Sequence, residues 1–149
     1  MVWKCFASNG FGQICQVDGN VNKEKYEKIL KNHIKPWAEK LFGKGNNFIF
    51  QHDNAPMHKA ALVKKYLNKQ SYQVMEWPVQ SPDLNPIENL WHILDKTMVN
   101  REDTTTEELF ITVKEAWNNL DKNIFINLVK SMPKSCQIVI NNNGLPIKY

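Results

Sequence analysis

The sequence lacks the features that mark membrane, secreted and zinc-binding proteins. It contains no run of about 18 apolar residues, so no transmembrane span is expected. Met1 leads straight into a strand-like segment, which is unlike a secretory signal. The three cysteines are odd in number, and neither they nor the four histidines have the spacing of a zinc site. We therefore expect an intracellular protein with no membrane partner and no small-molecule cofactor.

Arginine is almost absent. Only Arg101 among the 19 basic residues is an arginine. Arginine is the usual bidentate reader of bases, so sequence-specific recognition of DNA by this chain is not expected. Lysine is concentrated in segment 22–44, which has seven lysines, three glutamates and the apolar stripe of an amphipathic helix with a kink at Pro36. These lysines either follow phosphates or form a solvated helix face.

At 149 residues and 42% hydrophobic content, the chain has the size and composition of one domain. Strands are predicted at about 2–8 and 13–17, where Gly10 and Gly12 mark a hairpin, and at about 47–52 and 72–76. Helices are predicted from about 104, at about 122–131, and at about 133–143, where Gly144 ends the last one.

Asp53 follows the strand predicted at about 47–52, which is short, apolar and aromatic-rich. Ligand sites in α/β sheets lie beyond the carboxyl ends of strands, and Asp53 is predicted there. Pro56 suits the first turn of a helix, and the apolar pattern from Ala60 to Leu67 continues it. On local sequence alone, Asp53 is either a ligand-site acid or a residue that turns the chain or caps this helix.

Glu88 lies at the start of another predicted helix. Asn85 suits the N-cap, Pro86 the first helical position and Glu88 the third, an arrangement that predicts a capping box. Glu88 is one residue away from an apolar stripe, so it is expected to flank the buried face, where it can border a cleft. The stripe consists of Ile87, Leu90, Trp91, Leu94 and Met98.

These strings resemble the signatures of the Tc/mariner superfamily of DNA transposases. The resemblance runs from Met1-Val2-Trp3 to Tyr149, and the interval of 34 residues at positions 54 to 87 is that of the branch whose triad ends in Glu. It implies an α/β, ribonuclease H-like (retroviral integrase-like) mixed sheet with flanking helices. The matching strings are Asp53-Asn54-Ala55-Pro56 with His58, Trp77-Pro78, and Ser81-Pro82-Asp83-Leu84-Asn85-Pro86-Ile87-Glu88-Asn89-Leu90-Trp91.

The same resemblance implies roles for individual residues. Asp53 and Glu88 would be the second and third carboxylates of an Asp-Asp-Glu triad, both catalytic and both ligands of Mg²⁺ or Mn²⁺. We expect them to meet at one edge of the sheet, since two metals in such sites stand about 3.5–4 Å apart. Asn54, His58 and Asn85 recur in the family motif and are candidates for orienting the acids or contacting DNA.

Two parts of the family pattern differ in this sequence. The first triad Asp belongs to a central strand that precedes the Val-Trp strand, and Asp18 instead lies in a turn that the family shares. Residues 1–149 are therefore expected to be a partial catalytic domain that begins at the second strand, lacks the first central strand and has C-terminal helices from about 104. Lys4 replaces a residue that is usually Gly in the family and places a charge in a strand.

Three interpretations remain open at this stage: two functions, and a gene relic with no function. If it has a function, the chain is either the catalytic core of a nuclear transposase, inactive alone but active in strand cleavage and strand transfer within the full-length protein, or a domesticated or decayed remnant that binds DNA or protein without catalysis. DNA bound without sequence preference is the expected partner in both cases. A second copy or an intact transposase is the expected protein partner.

Overall fold

The computed structural model describes residues 1–45, 48–78, 81–99, 103 and 105–146. They form two compact units: a first unit of Met1 with Val17–Gln80, and a second unit of Val2–Gln16 with Ser81–Tyr149. The strands are β1 (Val2–Trp3), β2 (Phe6–Ala7), β3 (Gly10–Phe11), β4 (Cys15–Gln16), β5 (Ile49–Phe50) and β6 (Gln73–Val74). The α-helices are α1 (Lys23–Ile29), α2 (Lys35–Phe42), α3 (Ala61–Leu67), α4 (Pro86–Thr97), α5 (Thr106–Asn118) and α6 (Lys122–Asn141).

The predicted N-terminal hairpin is present in the second unit, but each arm is broken into two short strands. Strand β1 pairs with β4 and β2 pairs with β3, both antiparallel. Between these ladders, the two residues Lys4 and Cys5 face the three residues at positions 12–14. The extra residue disrupts the pairing as a β-bulge does, which is why the continuous strand predicted at about 2–8 is wrong.

The lysine-rich helix predicted at 22–44 is present in the first unit as α1 and α2, joined by a π-helical turn over Leu30–Ile34. In that turn the Lys35 N–H donates to the Leu30 carbonyl oxygen, five residues back. Pro36 has no N–H to donate. The helical hydrogen bonds therefore change from the i to i−4 to the i to i−5 pattern immediately before Pro36, where the sequence predicts a kink.

The two later strands of the first unit are parallel neighbours, with Ile49 opposite Gln73 and Phe50 opposite Val74. Their positions confirm the strands predicted at about 47–52 and 72–76, apart from Asn47, which lies outside the described residues. The helix predicted from Pro56 begins later, at Ala61. Residues 56–59 instead form turns, and Ala60, with ψ 142°, is extended and separates them from α3.

The second unit is built around four fully buried side chains: Leu90, Leu94, Trp117 and Phe125. Ile87, Trp91 and Met98 pack against this cluster, which confirms the apolar stripe predicted for α4. Helix α5 begins with a capping box in which Thr105 Oγ1 accepts from the Glu108 N–H and the Glu108 carboxylate accepts from the Thr105 N–H.

One boundary predicted in the C-terminal region is wrong. Two helices were predicted on either side of Pro133, whereas α6 continues through it to Asn141. A proline removes one hydrogen bond from a helix, and a 20-residue helix retains the bonds on both sides of that gap. The helix ends in a Schellman motif: Asn143 has φ 55°, and Gly144 N–H donates to the Val139 carbonyl oxygen at 2.9 Å.

No helix among the residues described above is long and apolar enough to cross a membrane.

Candidate active-site residues

Asp53 lies three residues beyond β5, past the carboxyl end of a parallel strand as the sequence predicts. Its side chain is 48% exposed. Oδ1 accepts a hydrogen bond from the Ala55 N–H at 2.9 Å, which closes a tight turn, and lies 2.6 Å from Nδ1 of His58. Both contacts use Oδ1, so Oδ2 is the oxygen with which this carboxylate can bind a cation.

The contacts of His58 fix the position of its ring proton. Nδ1 is 2.6 Å from Asp53 Oδ1 and 3.2 Å from the Asp53 carbonyl oxygen. Both of these atoms are acceptors, so Nδ1 carries a hydrogen in either protonation state of the ring. His58 therefore donates to the Asp53 carboxylate, and the structure brings together these two residues that the sequence identified as site candidates.

Two residues to which the sequence analysis gave no role also belong to this cluster. Tyr26, on α1, is 1% exposed, and its hydroxyl lies 3.0 Å from Nδ1 of His52. The ring centroids of Tyr26 and His58 are 3.9 Å apart, and those of His52 and His58 are 5.0 Å apart. His52 adjoins Asp53 in the motif and was identifiable by that position, whereas Tyr26 is distant in sequence and carries no local signal.

The histidine next to Asp53 is held neutral. The pKa of His52 is lowered from 6.5 to about 4, chiefly by burial and then by the neighbouring His58, while Asp53 opposes the shift. At neutral pH the His52 imidazole therefore adds no positive charge beside the Asp53 carboxylate.

Asn54 anchors the segment that carries Asp53. Its Nδ2 donates to the carbonyl oxygens of Trp77 at 2.6 Å and Pro78 at 3.2 Å. These bonds tie the turn after β5 to the segment after β6. Of the two roles proposed for Asn54, orienting the acid and contacting DNA, its contacts favour the first.

Replacing Asn54 by Ala is expected to lower the free energy of unfolding by about 1 kcal/mol, because the half-buried carbonyl group of Trp77 and the exposed carbonyl group of Pro78 lose their donor. Asn54→Asp should be at least as destabilising, since a carboxylate cannot donate to a carbonyl. Urea unfolding measures both changes. Asn20→Ala, at an exposed position, is the control and should change the free energy by less than about 0.5 kcal/mol. Equal effects at the two positions would contradict the anchoring role.

Glu88 and Asn85 lie in the second unit, at the start of α4. Asn85 is the N-cap and Glu88 occupies the third helical position, as the sequence predicts. The Glu88 side chain is exposed. The predicted capping box is wrong, because the Glu88 N–H donates to the Asn85 backbone carbonyl oxygen at 3.1 Å and not to its side chain. Asp53 and Glu88 belong to different units, and the approach of their carboxyl groups stays a prediction.

The donor chemistry of these two acids suits a hard divalent cation. Both are exposed carboxylates, and oxygen ligands of this kind are those that Mg²⁺ and Mn²⁺ prefer. Within the described ranges, no three His, Cys, Asp or Glu side chains are grouped closely enough to hold a metal ion. The donor chemistry of each acid therefore fits the divalent metal that the resemblance implies.

Comparison with known proteins identifies the family. Residues 4–111 match the DDE superfamily endonuclease family. The Tc1 transposase of Caenorhabditis elegans is 35% identical over 149 residues, which are the whole of this chain and 54% of that protein. The Tcb1 transposase of Caenorhabditis briggsae is 34% identical over the same share of each chain. The chain thus spans about half the length of the curated relatives that it matches.

The fold agrees with that family. The Mos1 mariner paired end complex with Mn matches with a TM-score of 0.88 at 19% identity, over 99% of this chain and 44% of that chain. The likeness confirms the α/β, ribonuclease H-like fold class. The resemblance to Tc/mariner transposases is confirmed by the matches of the sequence. On its sequence and its fold, this chain belongs to the DDE superfamily endonuclease family.

Proposed function

We propose that this chain supplies two metal-binding carboxylates, Asp53 and Glu88, to a DNA transposase of the Tc/mariner type. In the full-length protein they would serve metal-dependent strand cleavage and strand transfer. The observation that carries the proposal is the state of Asp53. It is a half-exposed carboxylate beyond the end of a parallel strand, anchored by Asn54 and His58, with one oxygen available to a cation. A residue that only closes a turn does not require the additional contact with His58.

The chain's own residues would act by position and charge. Asp53 and Glu88 would hold Mg²⁺ or Mn²⁺, and His58 would keep the Asp53 carboxylate oriented through its Nδ1–H. When bound, such metals activate the attacking oxygen and stabilise the leaving oxygen of an in-line displacement. Asn85 fixes the start of α4, and with it the position of the Glu88 backbone.

A nicking assay tests this function. The full-length protein should cleave transposon-end DNA with Mg²⁺ or Mn²⁺ and should not do so in the presence of a chelator. The 149-residue chain alone should not cleave, because Asp53 and Glu88 are its only acids at triad positions and a site with two of three carboxylates binds metal weakly. Cleavage that persists in the chelator would rule out the metal mechanism.

Within the same proposal, the partner of this chain is nuclear DNA bound through phosphates. Lysines 28, 35, 40 and 44 of the lysine-rich segment are exposed. Lys31 instead pairs with Glu27 at 3.0 Å, and Lys25 donates to the Asp18 carbonyl oxygen. Such a surface binds the DNA backbone with no preference for sequence. A second copy of the chain or an intact transposase is the protein partner that we propose.

Binding to a random duplex is expected to weaken steeply with salt. Replacing both Lys35 and Lys40 by Gln should flatten the slope of log K against log[salt] by about 2, since each lost phosphate contact removes about 0.9. Lys31→Gln is the matched control and should change the slope less, because Lys31 is already paired with Glu27. A transposon-end duplex should bind with similar affinity. A strong preference for it that persists at high salt would contradict non-specific binding.

A further inference from the structure

Tyr26 is placed to control the orientation of His58. It lies on α1, is 1% exposed, and packs its ring against His58 with a centroid distance of 3.9 Å and an interplanar angle of 31°. His58 in turn contacts Asp53: its Nδ1 lies 2.6 Å from Asp53 Oδ1. One buried aromatic side chain therefore contacts the residue that holds the Asp53 carboxylate.

The hydroxyl and the ring of Tyr26 act on different histidines. The hydroxyl bonds to Nδ1 of His52 at 3.0 Å, and the two rings are nearly parallel, at 11°. The ring lies against His58, which also stacks on His52 at 21°. A rotation of His58 about its χ2 angle out of this plane would move Nδ1 away from Asp53, and the two neighbouring rings oppose that rotation.

We propose that Tyr26 is a positioning residue for Asp53 and acts through His58. Its ring holds the imidazole in the plane in which Nδ1–H meets Asp53 Oδ1. Its hydroxyl bonds to His52 and takes no part in this restraint. The proposal rests on the proposed function insofar as Asp53 is a catalytic residue. The orientation of His58 itself does not depend on any metal or on DNA.

The two parts of the side chain can be separated by substitution. Tyr26→Phe removes the hydroxyl and keeps the ring, so His52 should change while His58 and Asp53 keep their contact. Tyr26→Leu removes both, so His58 should lose its fixed orientation. Tyr72→Leu is the matched control: Tyr72 is a buried tyrosine of the same unit, at 8% exposure, that packs on Phe48 and Phe50. A role for Tyr26 in packing alone predicts that Tyr26→Leu and Tyr72→Leu behave alike.

Long-range ¹⁵N–¹H correlation spectra of the histidine rings measure this in the 149-residue chain without metal. His58 should show a single Nδ1–H form in the wild type and in Tyr26→Phe, and a mixture of tautomers in Tyr26→Leu. His52 should change its signals in Tyr26→Phe. The Tyr72→Leu control should leave His58 unchanged. If Tyr26→Leu does not fold, Tyr26→Met replaces it, because a flexible methionine fills the volume without a flat ring to stack.

Cleavage by the full-length protein supplies the second readout. Tyr26→Phe should stay within about threefold of the wild-type kcat, and Tyr26→Leu should lower kcat by about tenfold to a hundredfold with an unchanged KM for DNA, as expected when a reacting group is misplaced. An unchanged His58 spectrum in folded Tyr26→Leu, or an equal change in Tyr26→Phe, would overturn the positioning role. Full cleavage by Asp53→Asn would instead overturn the proposed function, while the spectra would still decide the role of Tyr26.

Discussion

Replacing Asp53 by Asn, or Glu88 by Gln, is expected to lower metal-dependent DNA cleavage by the full-length protein by about 10³-fold or more. Each change keeps the size of the side chain and removes the charge that would hold the metal. In Asp53→Asn the new amide oxygen can still accept the hydrogen bond from the Ala55 N–H, so the turn should survive. The loss should therefore occur in the rate of cleavage, measured with a labelled transposon-end duplex, and not in the free energy of unfolding.

The chain offers a matched control for each of these substitutions. Asp121 accepts from the N–H two residues later, Asn123, at 2.9 Å, as Asp53 does from Ala55, yet it lies outside the family motif. Glu107 is an exposed acid in the first turn of α5, as Glu88 is in α4. Asp121→Asn and Glu107→Gln should leave cleavage within about threefold of the wild type. A loss as large as that of the motif variants would show that the effect comes from the fold.

Replacing Lys4 by Met is expected to stabilise the second unit by about 3 kcal/mol at and below neutral pH. Lys4 is 4% exposed, its Nζ lies 4.2 Å from the centre of the Trp117 ring, and within the described ranges this atom has no hydrogen-bond partner. The pKa of Lys4 is lowered from 10.5 to about 7, chiefly by burial; Cys5 opposes this shift, and Lys114 contributes to it. The contact with Trp117 offsets part of the cost of burying the ammonium group.

The effect of Lys4 on the free energy of unfolding depends on pH. The unfolded chain keeps the proton of Lys4 up to about pH 10.5, whereas the folded chain loses it above about pH 7. Stability therefore rises with pH between these values, and the penalty is complete below the lower one. The gain from Lys4→Met should be near zero at pH 10.5, grow towards pH 7 and then level off. Exposed Lys122→Met is the control, and a pH-independent gain at Lys4 would contradict the account.

The sequence predicted best what depends on local pattern. Asp53 was placed at the end of a strand because an apolar segment stops just before it, and the apolar stripe of α4 was read from its spacing. The helix predicted from about 104 begins at Thr106 as α5. Local patterns predicted the structure wrongly where two local conformations are both compatible with the sequence. At Asn85 the backbone carbonyl takes the Glu88 N–H, and at Pro133 the long helix continues.

The rest depends on contacts between distant residues. Tyr26 meets His52 and His58 across intervals of more than 25 residues, and no local pattern of residue types indicates that meeting. The bulge at positions 12–14 follows from the smaller number of residues in the opposite arm of the hairpin. The burial of Lys4, which lies in the hairpin, follows from its packing on Trp117 of α5. The family motif supplied the roles of Asp53 and Glu88, which their local structure alone does not distinguish from turn and helix-start residues.

The claim that Asp53 and Glu88 serve one metal-dependent reaction is tested most directly by a double-mutant cycle. Cleavage rates of the full-length protein would be measured at saturating Mn²⁺ for the wild type, Asp53→Asn, Glu88→Gln and the double variant. We predict that the double variant is no slower than the slower single variant, because residues that act as a unit are strongly non-additive. Rates that fall by the product of the two single losses, or a single variant that retains wild-type cleavage, would contradict the claim.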